Sequence, residues 1–251
     1  MTDYLLVHGA GQGAWSWGKV WGHMTAPVEH PPRLYAHRSA NKVYSMDLPG
    51  HGADSDGDTS TVLLDECVQS IVHTVERQGL QDVVLVGHGF AGWLILQAAG
   101  LLPLPPKRLV LIAGIVPDRG KSMIDELSLR SRLGFQGINT LGSLLGRDIK
   151  VPSGFIHRYL CNGMNPMAVV ESIGYFGPLP VGVLKSKTQA LGELTIPITY
   201  AVLTEDRVLP VETQRRMAAR IPGAEVIELE SCHQVSLCQP RELAEILLGF
   251  A

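Results

Sequence analysis

The chain has 251 residues, 45% hydrophobic and 18% charged, which is enough apolar matter for one well-covered core; α/β chains of this length commonly form a single domain. Its 21 basic and 24 acidic side chains leave a net charge of −3, a balance that offers no field for nucleic acid or for an anionic membrane. The longest apolar stretch, Phe90 to Leu102, falls short of the roughly 20 residues of a spanning helix. The N-terminus has no basic segment ahead of an apolar run, so a cytoplasmic protein without a signal peptide is expected.

In chain order, Tyr4–Val7 reads as a short strand ending in His8-Gly9, and Ala14–Met24 as a helix. Pro27–Asn41, rich in proline, histidine and arginine, reads as a surface excursion, either a solvated loop or a lip over an active-site mouth. Val43–Met46 is the next strand. Leu63–Gln78 has helical spacing, with Leu64, Cys67, Val68, Ile71, Val72 and Val75 on one face. Val83–Val86 is a buried strand entering a glycine-rich turn, and Phe90–Leu101 follows as an apolar helix. Arg108–Ala113, Ile198–Leu203 and Glu225–Leu229 complete the strands, and Arg241–Phe250 closes the chain as a helix. This alternation predicts an α/β fold with a mostly parallel, doubly wound sheet. The stretch from Ile115 to about Thr195 breaks the alternation; because long structureless loops are uncommon, a cap of short helices is expected there. Cys67, Cys161, Cys232 and Cys238 form no C-x-x-C pair and read as free thiols. No His/Cys/Asp/Glu cluster has metal-ligand spacing, so neither metal nor cofactor is expected.

Three motifs sit at strand ends. The first is Val7-His8-Gly9-Ala10-Gly11-Gln12-Gly13-Ala14-Trp15-Ser16-Trp17, the second Met46-Asp47-Leu48-Pro49-Gly50-His51-Gly52, the third Val86-Gly87-His88-Gly89-Phe90-Ala91-Gly92. Each alone is weak evidence; in this order and spacing the chain resembles the α/β-hydrolase family, in its compact branch of plant esterases and hydroxynitrile lyases. The resemblance covers nearly the whole chain, except the Pro27–Asn41 excursion and the cap. It implies that the third motif is a strand-to-helix elbow carrying the nucleophile at its middle residue, above the carboxyl end of the sheet. That residue is Ser in most of the family, less often Cys or Asp. Here it is Gly89, and no hydroxyl, thiol or carboxylate is supplied.

The resemblance also implies the partners. Asp206, after the strand Ile198–Leu203, matches the acid that orients the histidine, with Glu205 and Asp118 as competitors. His233, past the final strand, matches the catalytic histidine, in the family order of elbow, acid, histidine. The oxyanion donors would be the N–H groups of Ala10 and Phe90. His88 belongs inside the elbow, His8 and His51 to structural turns, and Cys232 is a small buried neighbour of His233. Trp15 and Trp17 either pack beneath the first loop or touch substrate; Met123, Met164, Met167, Tyr175 and Phe176 are either pocket lining or cap packing.

Losing the serine of a triad costs roughly 10⁶-fold in kcat, so an acyl-enzyme route is closed. A histidine held by an aspartate still supplies general acid–base catalysis. The favoured expectation is a non-hydrolytic, cofactor-free lyase or cyclase acting on an aromatic or polyketide-like small molecule in natural-product biosynthesis, as a monomer or homodimer with no nucleic-acid or membrane partner. Three alternatives stay open: an esterase whose serine was replaced, a noncatalytic small-molecule binder, and direct hydrolysis by water activated at His233.

Overall fold

In the computed structural model, which describes residues 1–26, 41–52, 59–146, 148–188, 192 and 194–251, the apolar, β-branched runs pair into one sheet. Its strands are β1 (Tyr4–Val7), β2 (Val43–Met46), β3 (Val84–His88), β4 (Arg108–Ile112), β5 (Ile198–Leu203) and β6 (Glu225–Leu229). Their order is β2-β1-β3-β4-β5-β6, and every neighbouring pair is parallel. The inner strands β1, β3 and β5 are buried at every residue, as expected where helices cover both faces. Edge strand β6 keeps only Leu229 fully buried.

Sheet growth changes direction at β1: the chain adds β2 on one side, then returns to place β3 on the other. Loops leaving β1 and β3 therefore diverge from a common point, the crevice in which open parallel sheets bind ligands. Motifs that were separate in sequence meet here because of that order.

After β1 a 3₁₀ turn, Ala14–Trp17, leads into α1 (Gly18–Thr25), so the single predicted helix is two pieces. Helix α2 (Leu64–Arg77) buries Cys67, Val68, Ile71, Val72 and Val75, and Glu66 caps its start by accepting the Leu63 N–H (2.8 Å). Strand β3 runs on through Gly87 and His88, two residues past the predicted end, because parallel pairing with Leu111 and Ile112 needs backbone and not side chains. Helix α3 (Ala91–Ala99) is buried at all but one residue and lies against β3 and β4.

Between β4 and β5 come a 3₁₀ turn (Met123–Glu126), α4 (Leu129–Leu145), α5 (Ser153–Phe155) running into a π turn (Ile156–Leu160), α6 (Pro166–Ile173) and α7 (Val181–Lys185). Part of this segment packs around its own small core of Val151, Ile156, Cys161, Val169 and Phe176. After β5 lies α8 (Val211–Ala218), which the apolar pattern does not announce: it buries only Gln214, Met217 and Ala218. A short α9 (Val235–Cys238) and α10 (Pro240–Leu248) follow β6. Most of the Pro27–Asn41 excursion lies outside the described residues. Among the described residues, no helix is long and apolar enough to cross a membrane.

One ion-pair cluster ties the start of the β4–β5 segment to the turn that follows α8. Arg220, beyond α8, donates to the Val116 carbonyl (2.6 Å) and to the Asp118 carboxylate (2.9 Å), and lies 3.0 Å from the Glu126 carboxylate. The Glu126 side chain is 4% exposed, so removing its cation strands a buried charge. Arg220→Met should lower the unfolding free energy by about 3–5 kcal/mol in urea denaturation. Adding Glu126→Gln to that variant should recover part of the loss.

Candidate active site

The first two motifs are joined by a buried imidazole. His8, at the end of β1, donates from Nδ1–H to the Gly9 carbonyl (2.8 Å) and accepts the Leu48 N–H at Nε2 (3.1 Å). Burial holds this ring far below the ordinary histidine value, at about 3. His51 donates from Nδ1–H to the Pro49 carbonyl (2.9 Å), and its ring stacks on Phe90 at 5.9 Å. Both histidines thus shape loops, as expected from their positions.

The third motif turns sharply between β3 and α3. A Cβ on Gly87 would sit 2.7 Å from the Ala91 carbonyl oxygen, so only glycine permits this approach of helix to strand. Gly89 occupies the left-handed region (φ +56°); its N–H donates to Ile112 (3.0 Å), and its carbonyl accepts from Gly92 (3.0 Å) and Ile115 (2.8 Å). Three backbone hydrogen bonds therefore fix the residue in a conformation that L side chains adopt only with strain. An ideal Cβ on Gly89 would lie 3.4 Å from His233 Nε2, an ordinary van der Waals contact. Position 89 and the imidazole face each other directly.

Behind that imidazole, Asp206 Oδ2 lies 2.6 Å from His233 Nδ1. The other carboxylate oxygen accepts the N–H groups of Val208 (2.7 Å) and Leu209 (2.9 Å), and the Asp206 side chain is fully buried. A proton shared along the Nδ1–Oδ2 line leaves the Nε2 lone pair aimed at position 89. His88 holds the histidine loop from below, donating from Nε2–H to the His233 carbonyl (2.8 Å). Burial, followed by the field of His233, keeps the His88 ring neutral.

His233 and Gly89 open onto a cavity of about 120 Å³, room for a small organic molecule where one water needs roughly 10–15 Å³. Its base is formed by Ala10, Gln12, Gly89, Phe90, His233 and Gln234; its far walls are apolar, from Met123, Ile124, Phe135 and Val151 among others. Ala10 and Phe90 both line it, and neither of their N–H groups is taken up by a hydrogen bond among the described residues.

Several predicted residues fall elsewhere. Trp15, Tyr175 and Phe176 do not line this cavity. The first loop carries Trp15 away from the cavity to the small core of the β4–β5 segment, where its ring lies 5.4 Å from that of buried Phe176 and 5.5 Å from that of Tyr175, which stays exposed. Trp17 is buried and meets the His88 ring edge-on. Met164 joins the same small core, Met167 is exposed, and only Met123 of the three methionines faces the cavity. Glu205 is exposed, and Asp118 pairs with Arg220 and Lys121, so neither reaches His233. Cys232 is buried, its sulfur 3.7 Å from that of Cys238. Among the described residues no group of three or more potential metal ligands comes together.

Sequence reasoning missed three glutamines. Gln12 accepts the Gly9 N–H (2.8 Å) and donates to Gln234 (2.5 Å), both beside the histidine. Gln214, buried in α8, accepts from the Leu203 N–H (2.9 Å) and donates to the carbonyls of Leu203 (3.0 Å) and Leu209 (2.7 Å), clamping the loop that carries Asp206. The only available signal was a polar residue beside a motif or inside a helix, and such residues are usually solvated.

The model of the alpha/beta hydrolase family matches residues 4–246, and the chain belongs to that family. Among curated proteins it is similar to Methylesterase 9 of Arabidopsis thaliana, 27% identical over 269 residues spanning 100% of this chain and 98% of the relative. Norfluorocurarine synthase 2 of Strychnos is 26% identical over 98% of this chain and 93% of the relative. Among solved structures, an extracellular α/β-hydrolase from a Paenibacillus species aligns over 100% of this chain and 99% of its own, with a TM-score of 0.83 at 23% identity. The named relatives are thus mostly esterases, with synthases among them.

The buried histidines generate a pH prediction. His8 and His88 are both held below their ordinary value, chiefly by burial, so the unfolded chain binds more protons in acid. Their contribution is whole above about pH 6.5 and is lost as the pH falls toward the folded values. Unfolding free energy in urea should fall from about pH 6.5 to about pH 4, by up to about 1.4 kcal/mol per pH unit for each ring. A profile flat across that window would contradict the neutral assignment.

Proposed function

We propose that this member of the α/β-hydrolase family is a cofactor-free acid–base enzyme that moves a proton on a small, largely apolar carbonyl compound and is not acylated during turnover. His233 is the base, Asp206 orients it, and the N–H groups of Ala10 and Phe90 receive the negative charge that develops on the substrate oxygen. The observation that carries this reading is Gly89 itself: the residue fronting His233 Nε2, where a Cβ would stand 3.4 Å away, has no side chain to attack a carbonyl.

Magnitudes favour this division of labour. Loss of a triad serine removes roughly 10⁶-fold in kcat, whereas a positioned general base is worth about 10²–10⁴-fold without any covalent intermediate. Removing a single well-placed oxyanion donor costs about 10²–10³-fold. A proton taken from carbon beside a carbonyl leaves an enolate whose oxygen is the one group in need of those donors. The apolar far walls exclude water, which strengthens the electrostatic contacts at the base of the cavity. Such chemistry serves bond-forming, cyclising or bond-cleaving steps in natural-product biosynthesis, in keeping with the Strychnos synthase among the relatives.

A second reading has an observation behind it as well. The methylesterases among the relatives are compatible with hydrolysis in which His233 activates water directly at the place a side chain would fill. Oxygen from isotopically labelled water would then appear in the carboxylate product while no acyl adduct formed.

Two measurements test the main reading. In D₂O, phenylacetone should lose its benzylic hydrogens faster with the protein than without, and His233→Ala should lower that rate about 10²–10⁴-fold. A wild-type protein exchanging no faster than His233→Ala would end the proposal. Gly89→Ser should gain p-nitrophenyl acetate cleavage with a burst and an acyl adduct visible by intact mass, at a stability cost of about 1–2 kcal/mol for an L residue at this positive φ. The same adduct in the wild-type protein would contradict the claim that it is not acylated.

A further inference from the structure

The base of the cavity contains a polar group that the proton-transfer reading leaves unused. Gln234 follows His233 directly, lines the cavity and is 1% exposed. Its orientation follows from a chain of donors. The Gly9 N–H donates to Gln12 Oε1 (2.8 Å), so that atom must be the amide oxygen and Gln12 Nε2 the donor. Gln12 Nε2–H then points at Gln234 from 2.5 Å, so the facing atom of Gln234 must be its oxygen. The Gln234 amide nitrogen is therefore turned away from Gln12. It has no acceptor among the described residues, yet it is not one of the sealed-off polar atoms that touch nothing. In a side chain this deeply buried, the accessible surface of that NH₂ is cavity surface.

We infer that the Gln234 side-chain amide is a third hydrogen-bond donor to the substrate, and that the substrate class is therefore a 1,3-dioxygenated compound such as a β-diketone or β-keto ester. The inference rests on the reading of His233 as a base and deepens it. The Ala10 and Phe90 N–H groups serve one oxygen, and Gln234 serves a second. Deprotonating the carbon between two carbonyls spreads the charge over both oxygens, and a donor at each stabilises the resulting enolate more than the neutral compound. An imidazole is a weak base, and it is matched to carbon acids activated by two carbonyls better than to those activated by one. The anchoring of Gln234 by Gln12 fixes the donor without requiring reorganisation when substrate arrives.

The test is a binding measurement, so it can fail while the proton-transfer reading survives, and the reverse. Dissociation constants for benzoylacetone and for butyrophenone, its one-carbonyl counterpart, are compared by NMR titration against the full-length protein. The wild type should prefer benzoylacetone by about tenfold, the usual effect of one added hydrogen bond. Gln234→Glu, titrated at a pH where the new carboxylate is ionised, keeps an oxygen to accept from Gln12 but can no longer donate to the cavity, and Gln234→Met removes both functions. Each should bind the two ketones within about twofold of one another. Gln234→Glu guards against a folding defect in Gln234→Met, and thermal unfolding reports the state of both. A wild type without the preference, or a folded Gln234→Glu that retains it, would overturn the inference.

Discussion

The site depends on a carboxylate that is locked before it meets the histidine. Asp206 is fully buried, and such a group is tolerated only when its lone pairs are taken up. Two backbone N–H groups, from Val208 and Leu209, occupy one oxygen, and the other meets His233 at 2.6 Å and accepts a longer bond from the Gln214 amide at 3.5 Å. Gln214 fastens the same loop to β5 through Leu203 and Leu209. The imidazole is held in turn at its backbone by His88 and along its ring by Asp206, so its free nitrogen has one direction to face. Precision at the reactive atom is thus inherited from backbone hydrogen bonds two contacts away.

Electrostatic economy runs through the same region. Three histidines, His8, His51 and His88, crowd behind the cavity, and burial keeps all three below their ordinary value. Charged rings there would repel one another and work against a proton on His233; neutral rings serve as directional donors and acceptors between loops. Each of the three donates to a backbone carbonyl, so their role is to fix main chain. This division separates the one imidazole that lines the cavity, outside the three motifs, from the three inside them that fix main chain.

Glycine performs opposite duties at the elbow. At Gly87 the backbone of α3 comes too close for any side chain, and the residue is dictated by packing. At Gly89 there is room for a Cβ, and packing does not demand glycine. The positive φ there makes glycine the relaxed choice, so the absence of a side chain removes strain and a potential nucleophile together. In the proposed function the space so freed belongs to the substrate.

Much of this was legible along the chain. The alternation of apolar strands with amphipathic helices announced the parallel sheet, since a strand buried on both faces must be apolar throughout and a covering helix must show one apolar stripe. His233, Asp206, Gly89, Ala10 and Phe90 were singled out by the resemblance to the family, and the parallel sheet gathers the strand ends that carry them on one edge. Helix α8 shows no apolar stripe because it buries only Gln214, Met217 and Ala218, and the sequence leaves Trp15, Tyr175 and Phe176 open between substrate contact and packing, which the fold resolves as packing on one another. Side-chain direction at those positions is set by contacts between segments more than a hundred residues apart, which periodicity does not encode. The same holds for the chain from Gly9 through Gln12 to Gln234: sequence supplied a glycine and two ordinary glutamines, and only tertiary packing decided which end of each amide faces the cavity, because a buried donor must find an acceptor wherever the fold has put one.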